Sequence, residues 1–126
     1  NFWMFFALVL CIIITSTIVN SFFKDIFERA RPLAFFGDGN INIFSEKLYA
    51  RSFPSGHTQF AFTIGAAMIL LMKKYWYVYV IYAFATAFER IYAGCHFPSD
   101  VFAGAVFGFA TAACLVYFFR KIKKNL

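Results

Sequence analysis

"FWMFFALVLCIIITSTIVNSFF", residues 2–23, runs for 22 residues without a charged side chain. At about 1.5 Å per residue, a helix of that length reaches roughly 33 Å, against a hydrocarbon core of about 30 Å. A secretory signal has a shorter apolar centre, so the stretch reads as a transmembrane helix. The rest of the chain has the same preference for lipid. Its 126 residues are 62% hydrophobic, 23% aromatic and 14% charged. A water-soluble domain is closer to half apolar and a quarter charged.

Breaks in the apolar pattern divide the remainder. A second span runs from near Ser55 to Met72, a third from Tyr75 to about Cys95, and a fourth over Val101–Phe119. No linker or repeat divides the chain, so residues 1–126 read as one membrane-embedded domain. The expected fold is all-α, a polytopic bundle of four transmembrane helices. Residues 24–54 form a long connection with a turn signal, "GDGNIN", at 37–42. Ile41, Ile43, Phe44, Leu48 and Tyr49 lie in it, as in a helical or irregular segment resting at the membrane interface. Cys11 and Cys114 sit inside apolar runs and Cys95 beside His96, with no CxxC spacing; they read as small buried hydrophobes.

The formal net charge of +6 is distributed unevenly. Lys73, Lys74, Arg120, Lys121, Lys123 and Lys124 lie at one end of the bundle with no acid among them. At the other end, basic and acidic side chains balance. By the positive-inside rule the basic end is cytoplasmic, and the balanced end faces the periplasm or the outside. The basic character therefore reports topology, and nucleic acid is not an expected partner. The expected partner at this point is the bilayer; oligomeric state is not legible.

Chemistry gathers at the outer end. The uncharged part of span three, Tyr75–Phe88, is only 14 residues, so to cross it must carry Glu89 and Arg90. Ionisable groups at that depth are costly and mark sites. Both histidines, His57 and His96, fall on the same side, with Lys24, Arg31 and Asp100. Lys24 and Arg31 read as interfacial anchors when taken alone, with Asp25 and Glu28 to offset them and Arg29 as an ion-pair partner. Ser55 reads as the N-cap of span two, Gly56 leaves room beside the first turn, and the exposed N–H groups there attract anions. Pro98 suits the first position of span four, which puts Asp100 third, as a capping carboxylate or a clamp on one nitrogen of His96. A histidine so held offers its other nitrogen as a nucleophile. Three cations, a helix-start anion nest and two histidines suit phosphoryl transfer without a metal.

In these residues the chain resembles the type 2 phosphatidic acid phosphatase superfamily of integral-membrane lipid phosphatases. That family carries Lys-x6-Arg-Pro, here "KDIFERARP" from Lys24 to Pro32. It carries Pro-Ser-Gly-His, here Pro54 to His57. It carries Ser-Arg-x5-His-x3-Asp, here "ERIYAGCHFPSD" from Glu89 to Asp100. The resemblance implies a phosphate bound by Lys24, Arg31, Ser55, Gly56 and Arg90. It implies His96 as nucleophile, forming a phospho-histidine. Asp100 orients that ring, and His57 protonates the leaving group and then activates water. No cofactor or metal is implied. The implied partner is a phosphorylated membrane lipid, and substrates of such enzymes include phosphatidate, phosphatidylglycerol phosphate, undecaprenyl pyrophosphate and lipid A phosphates. A short chain of this kind suits a cell-envelope lipid in a bacterial inner membrane, with Lys47 and Arg51 as spare cations for a sugar phosphate.

Two departures stand out. Glu89 replaces the family's Ser, as a partner for Arg90 or a substrate cation, or as a source of repulsion toward phosphate. Family members have six spans and four are counted here, so the expectation is a compact variant or a chain lacking two N-terminal helices. A membrane transporter or a lipid-phosphate-binding protein on the same frame is the alternative, although no ionisable group falls at mid-membrane. Zinc held by His57, His96 and Asp100 is a third reading, opposed by the surrounding cations.

Overall fold

A computed structural model describes residues 2–126. It contains α1 (Phe2–Phe27), α2 (Pro32–Phe36), α3 (Gly56–Met72), α4 (Trp76–Tyr92) and α5 (Pro98–Asn125). Among the described residues there is no strand. The four long helices match the four expected spans, and α2 is a single turn within the interfacial connection. Helices α1 and α5, of 26 and 28 residues, exceed the thickness of a bilayer's hydrocarbon core. The other two, at 17 residues each, reach about 26 Å, at the short end of what crosses.

Helix α3 is the centre, flanked by α5, α4 and α1. Its neighbours meet it along stripes spaced by four residues. On α1 the stripe is Leu8, Ile12, Ser16, Asn20 and Lys24. On α3 it is Ser55, Gln59, Thr63 and Ala67. On α5 it is Asp100, Gly104, Gly108, Ala112 and Val116. Residues four apart share a helix face, so each stripe is one continuous ridge or groove.

The stripes meet in layers of rising polarity. Deepest on the basic side is an apolar layer of Leu8, Ile12, Ala66, Ala67, Ala112 and Val116. Above it Ser16 Oγ lies 2.7 Å from Thr63 Oγ1, and Gln59 Nε2 donates to the Ser16 carbonyl at 2.8 Å. One turn higher Asn20 Nδ2 donates to Gln59 Oε1 at 2.9 Å. These amides and hydroxyls satisfy one another, which a polar group out of reach of water requires. At the top stand Lys24, Ser55 and Asp100.

Glycine makes the α3–α5 contact close. A Cβ on Gly104 would come 2.7 Å from the Ser55 carbonyl oxygen, and one on Gly108 would overlap the Gln59 carbonyl oxygen. Helix α4 is attached differently. It packs on α3 and only marginally on α5, and its backbone does not approach α1. A gap is therefore left between α1 and α4, with α3 as its floor. Outward-facing Phe22, Ile81, Phe84, Phe88, Phe102 and Phe109 are exposed. Their covering is lipid.

The basic end forms as expected. The Arg120 guanidinium donates to the Leu70 carbonyl, tying the end of α5 to the end of α3. Helix α5 runs past the expected Phe119 to Asn125 because its lysines continue the helix and favour its C-terminal dipole end.

Candidate active site

The gap between α1 and α4 widens, at the end away from the basic cluster, into a cavity of about 460 Å³. Lys24, Arg31, Gly56, His57 and His96 line it, although they come from four separate segments. Deeper in the wall are Ser16, Thr17, Asn20, Ser21 and Gln59, with Tyr82 and Thr86 from α4.

Each side chain is placed by a local device. Ser55 caps α3: its Oγ accepts from the Thr58 N–H at 3.4 Å and its hydroxyl donates to Thr58 Oγ1 at 3.0 Å. Its hydroxyl is thus turned inward, and Ser55 is fully buried. Gly56 and His57 follow as the first helical residues, whose N–H groups have no partner within the helix. The space beside Gly56 is bounded by Asn20, whose Oδ1 would lie 3.4 Å from a Cβ there. His57 is exposed at the cavity wall. Lys24, on the last turn of α1, donates to the Arg51 carbonyl at 2.6 Å. Arg31 is held from three directions. Its Nε donates to the Ala50 carbonyl at 2.8 Å, and its Nη1 lies 3.5 Å from the Cys95 carbonyl and 3.3 Å from His96 Nε2.

That last contact assigns the tautomer of His96. A guanidinium only donates, so Nε2 is the acceptor and carries no proton. The proton is then on Nδ1, which is buried, without a hydrogen-bond partner, and 3.7 Å from Asp100 Oδ2. This is too long for a hydrogen bond but close for a charge interaction. Burial holds the pKa of His96 below the ordinary 6.5; Asp100 opposes this, and the charges of Arg31 and Lys24 reinforce it. The ring is therefore neutral at neutral pH, with an unprotonated Nε2 that accepts from Arg31 at the cavity lining.

Asp100 has no exposed surface and is fixed by several donors. The Phe97 N–H donates to Oδ2 at 2.9 Å, closing the first turn of α5 after Pro98. The Ser52 hydroxyl donates to the same oxygen, and Arg29 Nη1 to Oδ1 at 2.9 Å. Capping carboxylate and histidine neighbour are thus one and the same group. The ion pair expected of Arg29 is formed with Asp100.

Not every expected residue converges. Arg90 does not line the cavity; its Nε and Nη2 each lie 2.5 Å from a carboxylate oxygen of Glu89. Lys47 and Arg51 are not spare, since Lys47 pairs with Asp38 at 3.0 Å and Arg51 with Asp25 at 2.7 Å. Asp25 thus serves Arg51 rather than Lys24 or Arg31. Residues missed from sequence are Ser52, Asn20 and Gln59. The available signal was polar residues inside or beside apolar runs, which lipid tolerates only when they are paired.

The helical bundle thus gathers two cations, two histidines and the start of α3 around one cavity, an arrangement suited to binding a phosphate group. The chain belongs to the PAP2 superfamily, whose profile matches residues 4–124. It is 41% identical over 73 residues to the bacitracin transport permease protein BcrC of Bacillus licheniformis, covering 58% of this chain and 36% of that protein. It is 33% identical over 109 residues to lipid A 1-phosphatase of Rhizobium etli, covering 83% and 47%. The crystal structure of Aquifex aeolicus LpxE superposes with a TM-score of 0.76 at 35% identity, covering 87% of this chain and 66% of that one. The chain spans about half or less of the length of these curated relatives.

Proposed function

We propose that the chain is a metal-independent lipid phosphatase that removes a terminal phosphate from a membrane lipid through a phospho-histidine. The observation that carries this is the unprotonated Nε2 of His96, held by Arg31 in the lining of a cavity to which Lys24 and the first turn of α3 also contribute. The cations and the N–H groups of Gly56 and His57 hold the phosphoryl oxygens. Nε2 attacks phosphorus, the P–O bond to the lipid breaks, and His57 gives its proton to the departing oxygen. Asp100 stabilises the ring, which is cationic once phosphorylated. His57, now neutral, takes a proton from water as that water attacks the phospho-histidine, and inorganic phosphate leaves. Ser55 contributes by capping the helix that presents Gly56 and His57.

A lipid anchor fits the placement. The cavity opens between α1 and α4, beside exposed apolar surface, so a phosphate can enter while its tail stays in the bilayer. The basic end of the bundle lies opposite the cavity, which supports an inner-membrane orientation with the site outward. Phosphatidate, phosphatidylglycerol phosphate, undecaprenyl pyrophosphate and lipid A phosphates are the candidate substrates. Phosphate release from this panel by purified protein, in the presence of EDTA, tests the reading. Release by wild type and none by His96→Ala supports it. Absence of release from every lipid by folded protein favours a binding or transport role.

A further inference from the structure

Glu89 and Arg90 are adjacent on α4, and neighbours on a helix point about 100° apart. Their fork-to-fork pairing, with both contacts at 2.5 Å, therefore needs the Arg90 side chain to be drawn sideways along the helix end. Arg90 lies four residues beyond Thr86, which lies four beyond Tyr82, and both of those line the cavity. Arg90 thus stands on the same stripe of α4, one turn beyond the residues that line the cavity. Its guanidinium is nevertheless committed to a carboxylate whose own side chain is 50% exposed. The pair thus stands one turn from Thr86 in the cavity lining, with its cation committed to Glu89 rather than offered to the cavity.

We propose that Glu89 is an affinity-setting latch on Arg90, displaced by a doubly charged terminal phosphate but not by a singly charged phosphodiester, so that neither ligand binds at full strength. This rests on the phosphatase reading above. A terminal phosphate carries roughly −1.5 to −2 charges at neutral pH, so it outbids a single carboxylate for the guanidinium, since attraction scales with charge. A phosphodiester carries one charge and gains nothing over Glu89. The bilayer around the cavity is built largely of phosphodiester lipids, and an uncommitted arginine one turn beyond its lining would bind them. The latch keeps the site clear of these lipids at the expense of weaker binding of the true substrate.

The test uses phosphatidate as substrate in neutral detergent micelles, with phosphatidylglycerol as the added phosphodiester. Glu89→Gln keeps the size of the side chain and removes its charge. The expected result is a KM for phosphatidate lower by about three- to tenfold, the range of a strong, partly exposed ion pair. Inhibition by phosphatidylglycerol rises by a similar factor. Neither change occurs when Glu89→Gln is made in an Arg90→Gln background. Unchanged KM and inhibition, or an equal gain without Arg90, overturn the latch; the latter shows direct repulsion by Glu89. Wild type that turns over phosphatidate while Glu89→Gln matches it refutes the latch alone. Wild type that turns over no terminal phosphate refutes the phosphatase reading. In that case protection of the melting temperature by inorganic phosphate still reads the latch: greater protection in Glu89→Gln supports it, and equal protection overturns it.

Discussion

Replacing Asp100 by Asn tests the charge behind His96. The carboxylate lies 3.7 Å from Nδ1, on a side chain with no solvent exposure. In the proposed mechanism Nε2 bonds to phosphorus, which makes the ring cationic. A unit charge pair at that distance, in an effective dielectric near 20, is worth about 4 kcal/mol. This stabilisation is absent in the ground state, where the ring is neutral, so its loss falls on kcat by about 10³-fold and leaves KM nearly unchanged. Asn also cannot satisfy every donor. If its oxygen stays with Ser52 and Phe97, its NH₂ meets Arg29, which had donated to Oδ1 at 2.9 Å. The assay is steady-state release of phosphate from a lipid phosphate in detergent, with the melting temperature measured on the same samples. A fall in kcat of less than tenfold, or a loss appearing in KM, in protein that melts normally would refute the role given to this charge.

Three further outcomes follow from the same geometry. Ser52→Ala removes one hydroxyl from Asp100 Oδ2 while the Phe97 N–H remains, so kcat should drop by about tenfold, equivalent to roughly 1.4 kcal/mol for a hydrogen bond to a charged group, with KM little changed; a wild-type kcat would count against it. Gly108→Ala forces a Cβ onto the Gln59 carbonyl and should cost about 1–3 kcal/mol, read as a lower melting temperature in detergent. Because burial, Arg31 and Lys24 lower the pKa of His96, its neutral form persists below pH 6.5, and the NMR midpoint of its ring should lie below that value. Arg31→Gln should move it upward, whereas a wild-type midpoint at or above 6.5 would contradict the assignment.

The number of spans and the side on which chemistry gathers were legible because charge marks both. Lys24, Glu89, Asp100 and the lysines at 73 and 74 each sit where an apolar run stops. Lipid-facing helices are apolar all round, so no periodicity tells which face packs inward. The stripes Leu8–Lys24 and Asp100–Val116 thus emerged only from the fold. The motif spacings located His57, His96, Lys24 and Arg31 around one cavity, since each is tied to a helix end. They did not locate the partners of those residues. Ser52 reaches Asp100 across 48 positions and Asn20 reaches Gln59 across 39. Arg90 was expected at the phosphate, but an adjacent carboxylate holds its side chain, and sequence order alone does not choose between those two partners.

The most direct measurement is to trap the intermediate. Wild type and His57→Ala would be mixed with a lipid carrying radiolabelled phosphate and quenched in alkali, which preserves phospho-histidine, with acid quenching as the control. The expected result is alkali-stable, acid-labile label on the peptide containing His96, slower both to appear and to disappear in His57→Ala because each step lacks its proton-transfer group, and absent from His96→Ala. Label on any other residue, or turnover that continues in His96→Ala, would contradict a phospho-histidine at His96.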